Sequence, residues 1–154
     1  MKWECWWNGK IKSDYIRQGV QDYQTRIQKI FPLNFREFPE PKTKTESIVK
    51  EYHTQIIIKS LKENDRLVLL DEHGKQFRSV EFAAYIEEQM IYSPFRLIFA
   101  LGGPYGYTTE ILERAEKRIS LSRMTYSHEL ARLIFLEQFY RALTIQKGIP
   151  YHNE

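Results

Sequence analysis

With 154 residues and 42% hydrophobic side chains, the chain can bury one substantial core and is too short for two comfortable domains, so a single domain spanning 1–154 is expected. A formal net charge of +3 permits a local basic patch for an anionic partner and excludes a histone-like polycation. The lone cysteine, Cys5, excludes an internal disulfide; with no zinc-like His/Cys spacing and no apolar run long enough for a bilayer, a cytoplasmic setting without metal or membrane is expected.

Trp3 to Trp7 reads as a short aromatic strand ended by Asn8-Gly9, and alternation sends Trp3, Cys5 and Trp7 to one face and Trp6 to the other. Met1-Lys2-Trp3-Glu4 runs into Asn8-Gly9-Lys10 without the apolar stretch of a secretory leader, so none is expected. Ser13 is placed to cap a helix with Ile16, Val20, Tyr23 and Ile27 recurring at helical spacing. Leu33 to Phe38 alternates like a half-exposed strand, and Pro39 to Thr45 is a polar connector. A second helix is predicted over Glu46 to Leu61, with Ile48, Tyr52, Ile56 and Ile57 as its apolar positions. Arg66 to Asp71 reads as a strand buried on both faces, with Glu72-His73-Gly74-Lys75 as the loop after it. Ser79 caps a helix through Phe82, Ala83, Ile86 and Met90, and Phe95 to Leu101 is the next strand. This alternation predicts an α/β protein with a mostly parallel sheet flanked by helices.

The last of these strands opens into Gly102-Gly103-Pro104-Tyr105-Gly106, and Ser120 to Thr125 follows one short helix later. Loops at neighbouring strand ends predict one ligand pocket, because ligands of open α/β sheets settle outside the carboxyl ends of the strands and glycine there removes the obstructing Cβ. Neither the dinucleotide fingerprint nor a P-loop is present, and no nucleophile elbow, paired carboxylates or activated cysteine stands out.

A C-terminal helix is predicted over Ser127 to Lys147. Glu137, Gln138, Arg141 and Thr144 form its one narrow polar strip, leaving apolar surface on both flanks. One flank can face the sheet and the other a partner, for which a two-fold homodimer is the simplest assembly; the alternative is a helix sandwiched inside its own domain. His128, Arg132, Phe135 and Phe139 share a sector, and Arg132 reads either as an anion contact or as a structural pin for a loop carbonyl or Glu129. Glu137 and Arg141 read as a solvated i, i+4 pair.

Five segments together point further: Leu69-Leu70-Asp71-Glu72-His73-Gly74-Lys75, Phe99-Ala100-Leu101-Gly102-Gly103-Pro104-Tyr105-Gly106, Ile119 through His128, Glu137 through Ala142, and Pro150-Tyr151-His152. In order and spacing they resemble the small SPOUT methyltransferases of the ribosomal RNA large subunit methyltransferase H family, and the likeness is strongest from Leu67 onward. The resemblance implies an α/β-knot fold whose C-terminal segment threads a deep trefoil knot. It also implies a homodimeric enzyme that carries S-adenosyl-L-methionine in the knot and methylates N3 of a pseudouridine in large-subunit ribosomal RNA on assembled ribosomes.

Carried over residue by residue, the implied cofactor contacts are Leu70, Gly102, Leu121, Ser122, Arg123, Met124, Thr125 and Tyr126, with Leu70, Leu121 and Met124 as apolar walls. The implied catalytic, RNA-side residues are Arg141, Tyr151 and His152, which in a dimer reach the partner's pocket. Tyr151 would stack on or hydrogen-bond the base. His152 would accept the imide proton or hold a phosphate, and positioning is preferred because a tail histidine is loosely held. Asn153 stands where a basic residue is common in the family. The competing readings are a non-catalytic ribosome-associated RNA-binding protein that retains the fold, and a class I methyltransferase, disfavoured because no glycine-rich fingerprint follows the first strand.

Overall fold

The computed structural model describes residues 2–92 and 94–153. The expected alternation forms as β1 (Trp3–Asn8), α1 (Asp14–Gln28), β2 (Leu33–Phe38), α2 (Glu46–Ser60), β3 (Arg66–Gln76), α3 (Ser79–Tyr92), β4 (Leu97–Leu101), α4 (Thr109–Arg114), β5 (Lys117–Ser120) and α5 (His128–Lys147). The strands make a five-stranded sheet in the order β2-β1-β4-β3-β5, and its pairings are parallel.

The aromatic strand sits inside this sheet, paired to β2 on one side and β4 on the other. Its pleat divides the tryptophans as alternation predicts. Trp3, Cys5 and Trp7 join the core beneath α1, α3 and α5, whereas Trp6 packs on the other face with Leu67, Leu69, Ile98 and Ala100, beneath α2 and α4. Burial raises the Cys5 thiol well above its ordinary pKa, so it packs as an inert apolar residue.

α5 packs against α1 and α3 on its flanks and β4 below. Tyr140 meets Tyr23 of α1 at 5.9 Å, and Phe135 and Phe139 reach the Phe99 ring at 5.4 and 5.9 Å. Much of the apolar excess that suggested a partner is therefore absorbed within the chain. Thr144, assigned to the polar strip, is fully buried and donates its hydroxyl to the Arg141 carbonyl at 2.7 Å.

Three local expectations change. α2 buries Val49, His53, Thr54 and Ile57 and leaves Ile48 54% exposed, so its inward face is rotated and partly polar. β3 does not end at Asp71: it resumes after an excursion, so that Leu70 and Lys75 both pair with Ile119 of β5. The polar, glycine-containing segment carries little strand propensity, and β5 supplies the ladder that draws it back. Because β5 pairs with β3, the strands carrying the two loops are not adjacent; β3 lies between them. Among the described residues no helix is long and apolar enough to cross a membrane, and no group of three or more His, Cys, Asp or Glu is placed to hold a metal.

Phe139 is fully buried among Trp3, Phe31, Phe99 and Phe135. Phe139→Ala is expected to cost about 3–5 kcal/mol in urea unfolding. Tyr15→Ala, at a side chain 71% exposed, should stay within about 0.5 kcal/mol of the parent.

Candidate active site

The carboxyl ends of β3, β4 and β5 open into a cavity of about 490 Å³. The glycine loop after β4 lines it on one side and Leu121, Ser122, Met124, Thr125 and Tyr126 after β5 on the other. Leu70 to His73, on the intervening strand, lie between them, and His128 and Ala131 of α5 complete the lining with Glu46 and Lys50 of α2. Of the residues expected here, Arg123 is outside the lining and exposed. Met124 lines the cavity but is 74% exposed, so it is no buried apolar wall. Sequence reasoning missed Tyr107, Asp71, Glu72, Glu46, Lys50 and Leu112; only the proximity of Asp71 and Glu72 to Leu70 gave a signal for any of them.

The glycines are required on the protein side of the loop. A Cβ on Gly102 would stand 2.9 Å from Cζ of Tyr107, whose hydroxyl donates to the Ala100 carbonyl at 2.8 Å. A Cβ on Gly103 would stand 2.7 Å from Cε1 of His53. Two rings thus occupy the space that side chains at 102 and 103 would need. Burial pushes the Tyr107 phenol far above its ordinary pKa, so it remains a neutral donor.

The loop after β5 is folded by its own hydroxyls. Ser120 Oγ donates to the Ser122 carbonyl at 2.9 Å, Ser122 Oγ accepts from the Met124 amide at 3.0 Å, and Thr125 Oγ1 donates to Glu72 at 3.1 Å. Ser127 then caps α5 by accepting from the Leu130 amide at 3.2 Å.

Arg132 takes the structural role. It is 1% exposed, and its guanidinium donates to the Gly9 carbonyl at 2.9 Å and to the Asn8 carbonyl. Glu129 does not pair with it through a hydrogen bond but accepts from the Lys12 and Ser13 amides at 2.9 and 3.1 Å. His128 lines the cavity one turn before Arg132; burial, and then the guanidinium charge, hold its imidazole below the ordinary histidine range.

Arg141, Tyr151 and His152 gather at the other end of α5. Arg141 donates to Glu137 at 2.5 Å and to His152 Nδ1 at 3.0 Å, and its guanidinium lies 4.8 Å from the Tyr151 ring centroid. The Tyr151 hydroxyl donates to Glu137 at 3.0 Å and meets the Tyr23 hydroxyl at 2.7 Å. Burial, followed by these bonds to Tyr23 and Glu137, pushes the Tyr151 phenol well above its ordinary pKa. The Glu137–Arg141 pair is therefore half-buried in a network, and the tail is held rather than loose. A guanidinium has no acceptor, so Nδ1 of His152 accepts and the ring proton lies on Nε2. None of these residues lines the cavity: Ala131 and Arg141 are ten residues apart in one helix, a rise of roughly 15 Å.

Residues 1–152 match the family described as "Predicted SPOUT methyltransferase". The chain belongs to the SPOUT methyltransferase family. Membership makes it a methyltransferase, which requires a methyl donor, and implies the C-terminal trefoil knot. Proteins named "Ribosomal RNA large subunit methyltransferase H" are similar over nearly the full length. The Cytophaga hutchinsonii protein is 43% identical over 99% of this chain and 100% of its own. The Phocaeicola vulgatus protein is 46% identical over 94% and 93%, and the Geotalea uraniireducens protein 38% identical over 99% and 100%.

In this SPOUT chain His128 favours the neutral form when folded, so the unfolded chain takes up more protons as the pH falls. The stability due to neutral His128 is present above the unfolded value of about 6.5 and is lost as the pH drops through the lower folded value. His128→Asn should remove that increment. Subtracting the variant's stability from the parent's in urea titrations should give a difference that declines from about pH 7.5 to about pH 5, while the carboxylate contributions common to both cancel.

Proposed function

We propose that this chain is an S-adenosyl-L-methionine-dependent methyltransferase that methylates N3 of a pseudouridine in large-subunit ribosomal RNA. It works as a single-domain homodimer on assembled ribosomes in the cytoplasm. The separation along α5 carries the reading: the cavity lies at the helix start and the Arg141–Tyr151–His152 cluster at its end. A two-fold dimer that turns one chain's cluster toward the other's cavity joins the two parts without bending the helix. The relatives' shared name supports ribosomal RNA as the substrate.

The cavity suits the donor. About 490 Å³ lies within the range of small-molecule sites. Leu70, Leu101, Leu112 and Leu121 offer apolar surface for an adenine, the glycine loop offers backbone groups, and Glu46, Asp71 and Glu72 offer negative charge to a cationic ligand. Bound there, S-adenosylmethionine supplies a methyl group activated by its sulfonium charge. The chain's own work is then placement. Arg141 and Tyr151 orient the base and backbone, and His152, held by Arg141 through Nδ1, serves their positioning rather than removal of the imide proton, which leaves to solvent.

Incubation with labelled S-adenosylmethionine and unmodified ribosomes, separate subunits or naked RNA, followed by nucleoside mapping, tests the reading. Label at N3 of one large-subunit pseudouridine is expected. Label on another nucleotide, or none from a folded chain that binds the donor, contradicts it; the latter outcome favours a non-catalytic ribosome-associated protein.

Gly102→Val, which drives a branched side chain into Tyr107, should abolish donor binding in calorimetry and leave the dimer intact. Deleting residues 151–154 should spare donor affinity and depress transfer. Heterodimers of these two variants keep one complete composite site and should recover about half of the parent activity, given two independent sites per dimer. Inactive heterodimers would place the whole site within one chain.

A further inference from the structure

Neither sheet packing nor methyl transfer accounts for the polar inward face of α2. His53 is 4% exposed and Thr54 2%. A buried imidazole is costly unless paired, and His53 is paired: Nε2 lies 2.9 Å from Oε2 of Glu40 in the connector after β2. The adjacent Nδ1–Cε1 edge of the ring meets the glycine loop, where a Cβ at residue 103 would lie 2.7 Å from Cε1 and 3.0 Å from Nδ1. Glu40 in turn fills the space over Gly9, where a Cβ would lie 2.7 Å from its Cγ. Loops leaving the carboxyl ends of β1, β2 and β4 thus meet around one His–Glu pair. Thr54 holds the far end of the glycine loop, its Oγ1 2.6 Å from Oγ1 of Thr108, the α4 cap.

We propose that His53, oriented by Glu40, is a positioning residue for the methyl donor, setting where the Gly102–Gly103 backbone stands in the cavity and tying that loop to the Pro39–Thr45 connector. His53 does not line the cavity, so it acts through Gly103. The ring edge comes so close to the loop that residue 103 has no room for a Cβ. The bond to Glu40 fixes the ring's rotation, so that its edge faces the loop. Leucine would fill a similar volume with branched methyl groups and leave Glu40 without this partner. Glutamine can return a donor to Glu40 through its amide nitrogen. The inference rests on the donor-cavity reading for its effect on binding, but its effect on the loop can be measured without a ligand.

The test compares His53→Leu, His53→Gln and Glu40→Leu in the full-length chain by amide hydrogen exchange without cofactor and by calorimetry with S-adenosylmethionine. His53→Leu should speed exchange at Gly103, Tyr105 and Gly106 and weaken donor binding, each on the order of tenfold, as expected for loss of a buried bond to a charged group. His53→Gln should return both readouts to within about threefold of the parent, because the donor to Glu40 is restored. In the transfer assay, KM for the donor should rise more than kcat falls. Unchanged loop exchange in folded His53→Leu, or His53→Gln no better than His53→Leu, overturns the proposal. Should His53→Leu fail to fold, Glu40→Leu, altered at the more exposed end of the pair, supplies the same readouts, and unchanged loop exchange in that variant overturns the proposal. A parent chain that binds no S-adenosylmethionine overturns the cofactor reading, while loop exchange still decides the role of His53.

Discussion

Parallel pairing sends the carboxyl end of every strand to one edge of the sheet, and the polar loops of this protein gather there as a consequence. With helices over both faces, the interior of β1, β3 and β4 is apolar and offers nothing to a polar ligand. The edge is where backbone amides, carbonyls and glycines can face a cavity instead of a ladder. The strand order then selects the loops that meet: β3 between β4 and β5 brings Leu70 to His73 between the glycine loop and the loop after β5.

Loops at such an edge lack a ladder of their own, and here buried polar side chains hold them. Arg132 reaches from α5 to the carbonyls that close β1, while His53 and Thr54 reach from α2 to the two ends of the glycine loop. Hydrogen bonds to a charged group contribute about 1.5–3 kcal/mol each and impose direction as well as energy. Apolar packing could fill the same spaces without fixing the orientation of a carbonyl. The arrangement explains why a guanidinium and an imidazole stand at positions where helix periodicity alone would ask for aliphatic residues.

α5 connects this edge to a second polar centre. Its first turns line the cavity and its last turns carry Arg141, anchored by Glu137 and joined to Tyr151 and His152. A rigid helix keeps these centres apart as firmly as it joins them, which is the physical basis of the proposed two-fold dimer. The network around Tyr23, Glu137 and Arg141 pre-orders Tyr151 and His152, so any ligand they meet finds a defined geometry at little further cost in conformational freedom.

The sequence by itself determined the strand–helix alternation, the division of Trp3 and Trp6 between the two faces, and α5 from its serine cap to its last lysine, because periodicity and capping are properties of neighbouring residues. It also brought the glycine loop and the Ser120–Thr125 segment to notice as one pocket, from glycine content and position after strands, while Leu70 and Tyr126 joined them through resemblance. The inward face of α2 was not legible, since Ile48, Tyr52 and Ile56 mark an apolar stripe and nothing local reveals a loop waiting for His53 and Thr54. Nor was the return of β3 after its excursion legible, because Ile119 and Ser120 of β5, far along the chain, supply the ladder that decides it. Arg132 could be read two ways until the Asn8 and Gly9 carbonyls stood beside it. Tertiary structure alone decided these points, because which partner a buried polar group finds depends on what the fold brings across the intervening space, and the hydrophobic pattern that drives the fold carries no record of it.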